Sequence, residues 1–92
     1  MRPLVVFRCT SCSHAVFPRR LLCPSCGGAE FAEETVERGT LEEVTSARVR
    51  IGSVRTAVGA VVVARVEDDI EHGEVAVGRA DDGAVVAYRA SL

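Results

Sequence analysis

Two Cys-x-x-Cys pairs, Cys9-Thr10-Ser11-Cys12 and Cys23-Pro24-Ser25-Cys26, stand ten residues apart near the start of the chain. Each pair can hold two sulfurs on one tight turn, and the gap suits a short hairpin that brings the turns face to face. Four thiolates at tetrahedral corners are the preferred surroundings of a structural zinc ion. A redox Cys-x-x-Cys would want a βαβ setting, and nothing in the pattern reads as one. Disulfides would imply secretion, whereas Met1-Arg2-Pro3 runs into the first pair without a signal-peptide pattern. Iron in the same four-sulfur site is a third possibility; the fusion to a β-rich body argues for a structural role, and a red colour would betray iron. One structural Zn²⁺ on Cys9, Cys12, Cys23 and Cys26 is the expectation. Metal also explains how so small a module can be ordered, since pieces under about 40 residues rarely bury enough apolar surface alone.

Charge divides along the chain in the same way. Residues 1–28 carry Arg2, Arg8, Arg19 and Arg20 and no acid, formally +4, while residues 29–92 are formally −6, within a net charge of −2. A Zn(Cys)₄ centre would bring the first segment to roughly +2. The acidic remainder does not resemble a phosphate-backbone binder, which shows a clustered basic stripe. No apolar run approaches the ~20 residues of a membrane span, so no membrane partner is expected. A reducing cytoplasm is the expected location.

Leu4 to Arg8 reads as an extended arm delivering Cys9. Gly27, after Cys26, stands where a positive φ lets backbone N–H groups face the sulfurs, and Ser13 holds the equivalent place after Cys12. From Phe31 the pattern is β throughout. Thr35–Leu41 reads as a strand kinked at Gly39. Thr45–Ile51 reads as a half-buried strand with Ala47, Val49 and Ile51 inward, ended by Gly52-Ser53. Val58–Val66 reads as a central buried strand bent at Gly59, followed by a turn at Glu67-Asp68-Asp69. Glu74–Arg79 and Ala84–Arg89 follow as strands around an Asp81-Asp82-Gly83 turn. Five short strands in about 60 residues point to a small closed barrel of the OB type. The expected fold is all-β: a rubredoxin-like zinc ribbon over residues 1–28, then a five-stranded OB barrel over residues 29–92.

This arrangement resembles the acyl-CoA-associated proteins known as the DUF35 family. The likeness rests on Phe7-Arg8-Cys9-x-x-Cys12, Phe17-Pro18-Arg19 and Cys23-Pro24-x-Cys26-Gly27. It continues through Gly39-Thr40-Leu41, Thr45, Val61–Val66 with Glu67, and Gly83-x-Val85. It implies a non-catalytic accessory subunit of a hetero-oligomer. Such a subunit docks on a thiolase-superfamily or hydratase-like acyl-CoA enzyme and helps form or stabilise its acyl-CoA site, with the CoA thioester at the interface. The sequence agrees in offering no catalytic set of its own. Four cysteines on zinc leave no thiol nucleophile, and His14 and His72 read as a surface residue and a turn residue. Phe17, Pro18, Arg19 and Arg20 are the candidate partner- or CoA-binding residues. Two roles are open to the arginines: meeting phosphate or an acidic partner, or offsetting thiolate charge. Phe17 is either an interface anchor or a cover for the metal site. The glutamates at 33, 34, 37, 42 and 43 read as a solvated face. The rival reading is a single-stranded nucleic-acid module, which needs stacking aromatics; residues 29–92 offer Phe31 and Tyr88.

Overall fold

The computed structural model describes residues 2–46, 48–67 and 69–90, arranged as eight strands. In the first sheet, β1 (Leu4–Cys9) lies between β2 (Ala15–Val16) and β3 (Phe31–Val36), antiparallel to both. The pairing runs past residue 28, because β3 follows β1 in register from Cys9↔Phe31 to Leu4↔Val36. On β1, Leu4 and Val6 are buried while Val5 and Phe7 are half-buried, the alternation of a strand with one inner face. Arg8 on this sheet donates to Glu34 on β3 at 2.7 Å, so Glu34 is half-buried rather than part of a freely solvated acidic face.

The second unit is a closed barrel of β4 (Arg38–Ser46), β5 (Arg50–Thr56), β6 (Val61–Val66), β8 (Val85–Tyr88) and β7 (Gly73–Arg79), in that spatial order. β4, β5 and β6 form an antiparallel meander, β7 pairs antiparallel with both β8 and β4, and β6 meets β8 in parallel at Arg65↔Val86 and Val66↔Ala87. The expected OB-type barrel is this one. β4 reaches both β5 and β7 through a register shift between Leu41 and Glu43, the kind of irregularity that bends a strand around a barrel corner. The interior is narrow and filled by Leu41, Val54, Val62, Ala64, Val66, Val75, Val77 and Ala87.

Ribbon and barrel share one core. Leu4, Val6, Ala15 and Val36 belong to the same buried cluster as the barrel side chains, with Phe17 packed against it. Backbone bonds reinforce the joint: Arg2 and Arg79 exchange N–H···O bonds of 2.8 Å, and Val77 N–H donates to the Glu37 carbonyl at 2.8 Å. The Arg79 guanidinium lies 5.6 Å from the centre of the Phe17 ring and donates to the Gly83 carbonyl from Nη2 at 2.7 Å. It thereby ties the ribbon hairpin to the β7–β8 turn. Arg79→Ala should lower stability by about 1 kcal/mol, seen as a drop in the thermal midpoint, with zinc content unchanged.

Two strand expectations are corrected. The chain does not run extended from Thr45 to Ile51: β4 ends at Ser46, which faces Arg50 across a tight hairpin. Ala47, expected to point inward, lies outside the described residues, and Val49 and Ile51 are 48% and 47% exposed. Alternation carries straight through a short reversal, so the pattern alone could not show the turn. Gly52, read as a break, is buried mid-strand. A Cβ there would lie 2.5 Å from the Glu43 carbonyl oxygen and 2.8 Å from Leu41 Cδ1. Its role is close approach of β4 and β5, and Gly52→Ala should cost about 1–3 kcal/mol by overpacking, measured by denaturant unfolding.

The Val58–Val66 run is likewise divided. Residues 57–60 turn through Gly59 at φ +95°, and Thr56 closes the turn by donating from both N and Oγ1 to the Ala60 carbonyl at 2.8 Å. β6 then buries Val62, Ala64 and Val66 but leaves Val61 and Val63 facing out. A barrel wall has only one inner face. Of the turn expected at Glu67-Asp68-Asp69, Asp68 lies outside the described residues.

Candidate metal centre and ribbon surface

Each Cys-x-x-Cys pair sits on a knuckle whose backbone folds back on itself. In the first, Ser13 N–H donates to the Cys9 carbonyl at 2.9 Å, with Ser13 at φ +66°. In the second, Gly27 N–H donates to the Cys23 carbonyl at 2.8 Å, with Gly27 at φ +80°. In the second knuckle backbone N–H groups face sulfur: Ser25 donates to Cys23 Sγ, and Gly28, just past the left-handed Gly27, donates to Cys26 Sγ, both at 3.4 Å. Ser13 tolerates this conformation less easily than glycine.

β1 delivers Cys9, and the knuckles bring the other three sulfurs to it. Cys9 and Cys26 sulfurs lie 3.5 Å apart, those of Cys12 and Cys23 3.6 Å apart, and all four within 4.8 Å of one another. A tetrahedral ion at roughly 2.3 Å from each sulfur requires S···S separations of about 3.8 Å, so the set fits zinc. All four are free thiols, and the separations are far beyond disulfide length. Cys9 and Cys23 are buried and Cys12 and Cys26 exposed, leaving one side of the site toward water.

The electrostatics of the four thiols show why the cluster wants a cation. Backbone N–H groups of Cys12 and Ser11 pull the Cys9 thiol down to about 6. Burial pushes Cys23 up, but the Cys26 and Ser25 N–H groups outweigh it and hold the thiol below its usual value. The Gly28 N–H favours a Cys26 thiolate, yet the sulfurs of Cys9, Cys12 and Cys23 together with burial push that thiol up to about 12. Four sulfurs this close cannot all ionise without a compensating positive charge, and a dication supplies it. Cys9, Cys12, Cys23 and Cys26 form the site of one structural zinc. Among the described residues this is the cluster of metal-ligating groups; His14 is exposed and outside it.

The residues between the knuckles separate by role. Phe17 is half-buried against the shared core, beneath Arg79, rather than capping the metal or standing out as an anchor. Pro18, Arg19 and Arg20 are exposed, with the Arg19 guanidinium 5.9 Å from the centre of the Phe7 ring. Two neighbours that belong to no sequence motif also stand out: Leu21 is 92% and Leu22 58% exposed. The available signal was two leucines in a module too short to bury them. A groove of 320 Å³ separates the ribbon from the β5–β6 turn, lined by His14, Phe17, Arg20 and Pro24 on one side and Arg55 and Val61 on the other. Phe31 sits in the ribbon sheet and Tyr88 is half-buried at the end of β8, so neither forms an open stacking platform on the barrel. His72 stands before Gly73 at φ +99°, in the turn position expected of it. No helix among the described residues is long and apolar enough to cross a membrane.

These features define a class: a four-cysteine zinc ribbon fused through one core to an OB-type barrel. Residues 4–32 match the family model described as "ChsH2, rubredoxin-like zinc ribbon domain". The whole chain is similar to a solved structure described as "Ltp2-ChsH2(DUF35) aldolase", with a TM-score of 0.72 and 20% identity over 97% of this chain and 86% of that one. At that identity the likeness establishes the fold. No curated protein matches the sequence. The resemblance to DUF35 proteins is thus supported at two levels, ribbon sequence and whole-chain fold. The expectation of a non-catalytic subunit is corrected by the same comparison, because the similar structure is named as an aldolase, an enzyme. The family resemblance implied that expectation, and the lack of a catalytic set in the one chain agreed with it. It has no force where a reaction belongs to an assembly, whose groups one sequence need not display.

Proposed function

We propose that this chain is the zinc-ribbon and OB-barrel component of a hetero-oligomeric acyl-CoA enzyme, one that makes or breaks carbon–carbon bonds as an aldolase does. In this reading it docks on a thiolase-superfamily or hydratase-like partner and helps to shape the acyl-CoA site, in a reducing cytoplasm that keeps the four thiols available to zinc. The observation that carries the reading is the near-complete overlap with the structure described as an Ltp2-ChsH2(DUF35) aldolase, whose description joins a DUF35 component to a second one. The ribbon match supports it independently. Zinc holds the hairpin in shape, Phe17 braces it from beneath, and Pro18, Arg19 and Arg20 stand on its exposed side for the partner or the CoA phosphates.

The test is purification from the native source. A thiolase-like or hydratase-like enzyme should co-purify with the zinc-loaded chain, and acyl-CoA aldol cleavage should need both components. Failure to recover such an enzyme, together with tight binding of a single-stranded oligonucleotide, would replace this reading by the nucleic-acid one.

A further inference from the structure

The exposed large hydrophobic residues among those described fall into two groups. Leu21 and Leu22 stand on the ribbon hairpin; Val49, Ile51, Val58, Val61 and Val63 belong to the β5–β6 strands and their turns. On the barrel wall, Ile51 faces Arg65 and Val63 faces Ser53 across the strand pair, so the outward residues form a contiguous face. The 320 Å³ groove joins the groups, since Arg20 and Pro24, which bracket the two leucines in the chain, line it opposite Val61. Scattered apolar residues are ordinary on a surface, whereas a contiguous rimmed patch marks an interaction site.

The groove itself carries cations. Arg20 and Arg55 line it and no carboxylate does, while the β5–β6 wall beside it also has Glu43 next to Ser53 and Asp82 next to Arg65. Arg55 is paired with Glu42 at 3.1 Å, but neither Arg19 nor Arg20 has an ion-pair partner among the described residues. We infer that the Leu21–Leu22 tip, the groove and the outer β5–β6 face form a single docking surface for a partner protein that presents apolar side chains among Asp and Glu carboxylates. A two-fold pairing of this surface with itself would bring one cationic groove against another, which disfavours a second copy as occupant. The absence of aromatic side chains on β5 and β6 likewise disfavours stacked bases.

This inference rests on the reading that the chain has a thiolase-type enzyme partner, and it names the surface and the chemistry that bind it. The experiment is titration calorimetry of the zinc-loaded full chain with the co-purifying enzyme, at two salt concentrations. The Leu21→Ser/Leu22→Ser double variant should bind about thirtyfold or more weakly, as expected for loss of interface anchors. Val63→Thr should also weaken binding, and Arg19→Glu/Arg20→Glu should slow association and abolish its salt dependence. Glu71→Gln, on the β6–β7 loop, should leave binding unchanged. Zinc content and thermal midpoint of each variant establish folding, and all these side chains are exposed, so folding should persist.

Wild-type binding with unaltered affinity in the tip and Val63 variants would overturn the docking surface while leaving the enzyme partnership intact. No wild-type binding would overturn the partnership and this surface with it. Sedimentation showing a dimer of the isolated chain that Leu21→Ser/Leu22→Ser disperses would assign the surface to a second copy instead. If Arg19→Glu/Arg20→Glu changed zinc retention but not binding, the two arginines would serve the thiolates and the stated partner chemistry would fall.

Discussion

Cys23→Ser, or exhaustive chelation of the wild-type chain, is expected to abolish stoichiometric zinc and unfold residues 4–28. Cys23 is almost fully buried, 3.6 Å from the Cys12 sulfur, and its backbone bonds close the second knuckle. Structural zinc in small modules contributes roughly 10–16 kcal/mol of apparent folding free energy, more than most domains hold in reserve. The loss should not stop at the ribbon, because Leu4, Val6, Ala15 and Val36 sit in the barrel's core cluster. Metal analysis should fall from about one zinc per chain to near none, and amide protection should vanish from β1 and weaken in β7. Because the ligands bind as thiolates, acidification should release the metal and give the same loss. A Cys23→Ser protein that kept one zinc and full β1 protection would refute the four-sulfur site.

The second large effect concerns the joint between ribbon and barrel. Leu4→Ala should destabilise the whole chain by about 2–5 kcal/mol, the range for truncating a fully buried leucine whose site cannot collapse. Leu4 is on a ribbon strand, wholly inaccessible, opposite Val36. At about 4–8 °C per kcal/mol for a chain of this size, the thermal midpoint should fall by at least about 8 °C. The distinctive readout is hydrogen exchange at Val66 and Val86, deep in the barrel wall. Their protection should drop with the global stability if one core unites the units. Unchanged exchange there would mean that ribbon and barrel unfold separately.

Legibility in the sequence varied with the range of the interaction concerned. The metal ligands were fully readable, because Cys-x-x-Cys spacing and the left-handed residue after each pair are properties of a few adjacent residues. Gly27 and Ser13 occupy the positive φ that the knuckle geometry calls for. β7, β8 and the turn at Asp81-Asp82-Gly83 were also readable, since each joins a strand pattern to a strong turn residue. The hairpin after Ser46 was not, because no glycine or proline marks it and alternation continues through it. Gly52 was misread for a related reason: glycine from close packing and glycine from a turn look alike until the neighbouring strand is in place. The exposure of Leu21 and Leu22 was not legible either, since exposure is decided by what fails to cover a residue.

The sequence by itself therefore determined the zinc site, the all-β class and the order of ribbon and barrel, all set by short-range spacing and by the period-two alternation of strands. Only the tertiary structure decided that the two units share one core, that Phe17 is held between that core and Arg79, and which valines of β6 face outward. It also decided that a groove lies between the ribbon hairpin and the β5–β6 turn. Each of these depends on contacts between residues far apart in the chain, which only the closed barrel brings together. The four cysteines fold the ribbon; its placement against the barrel makes the surface.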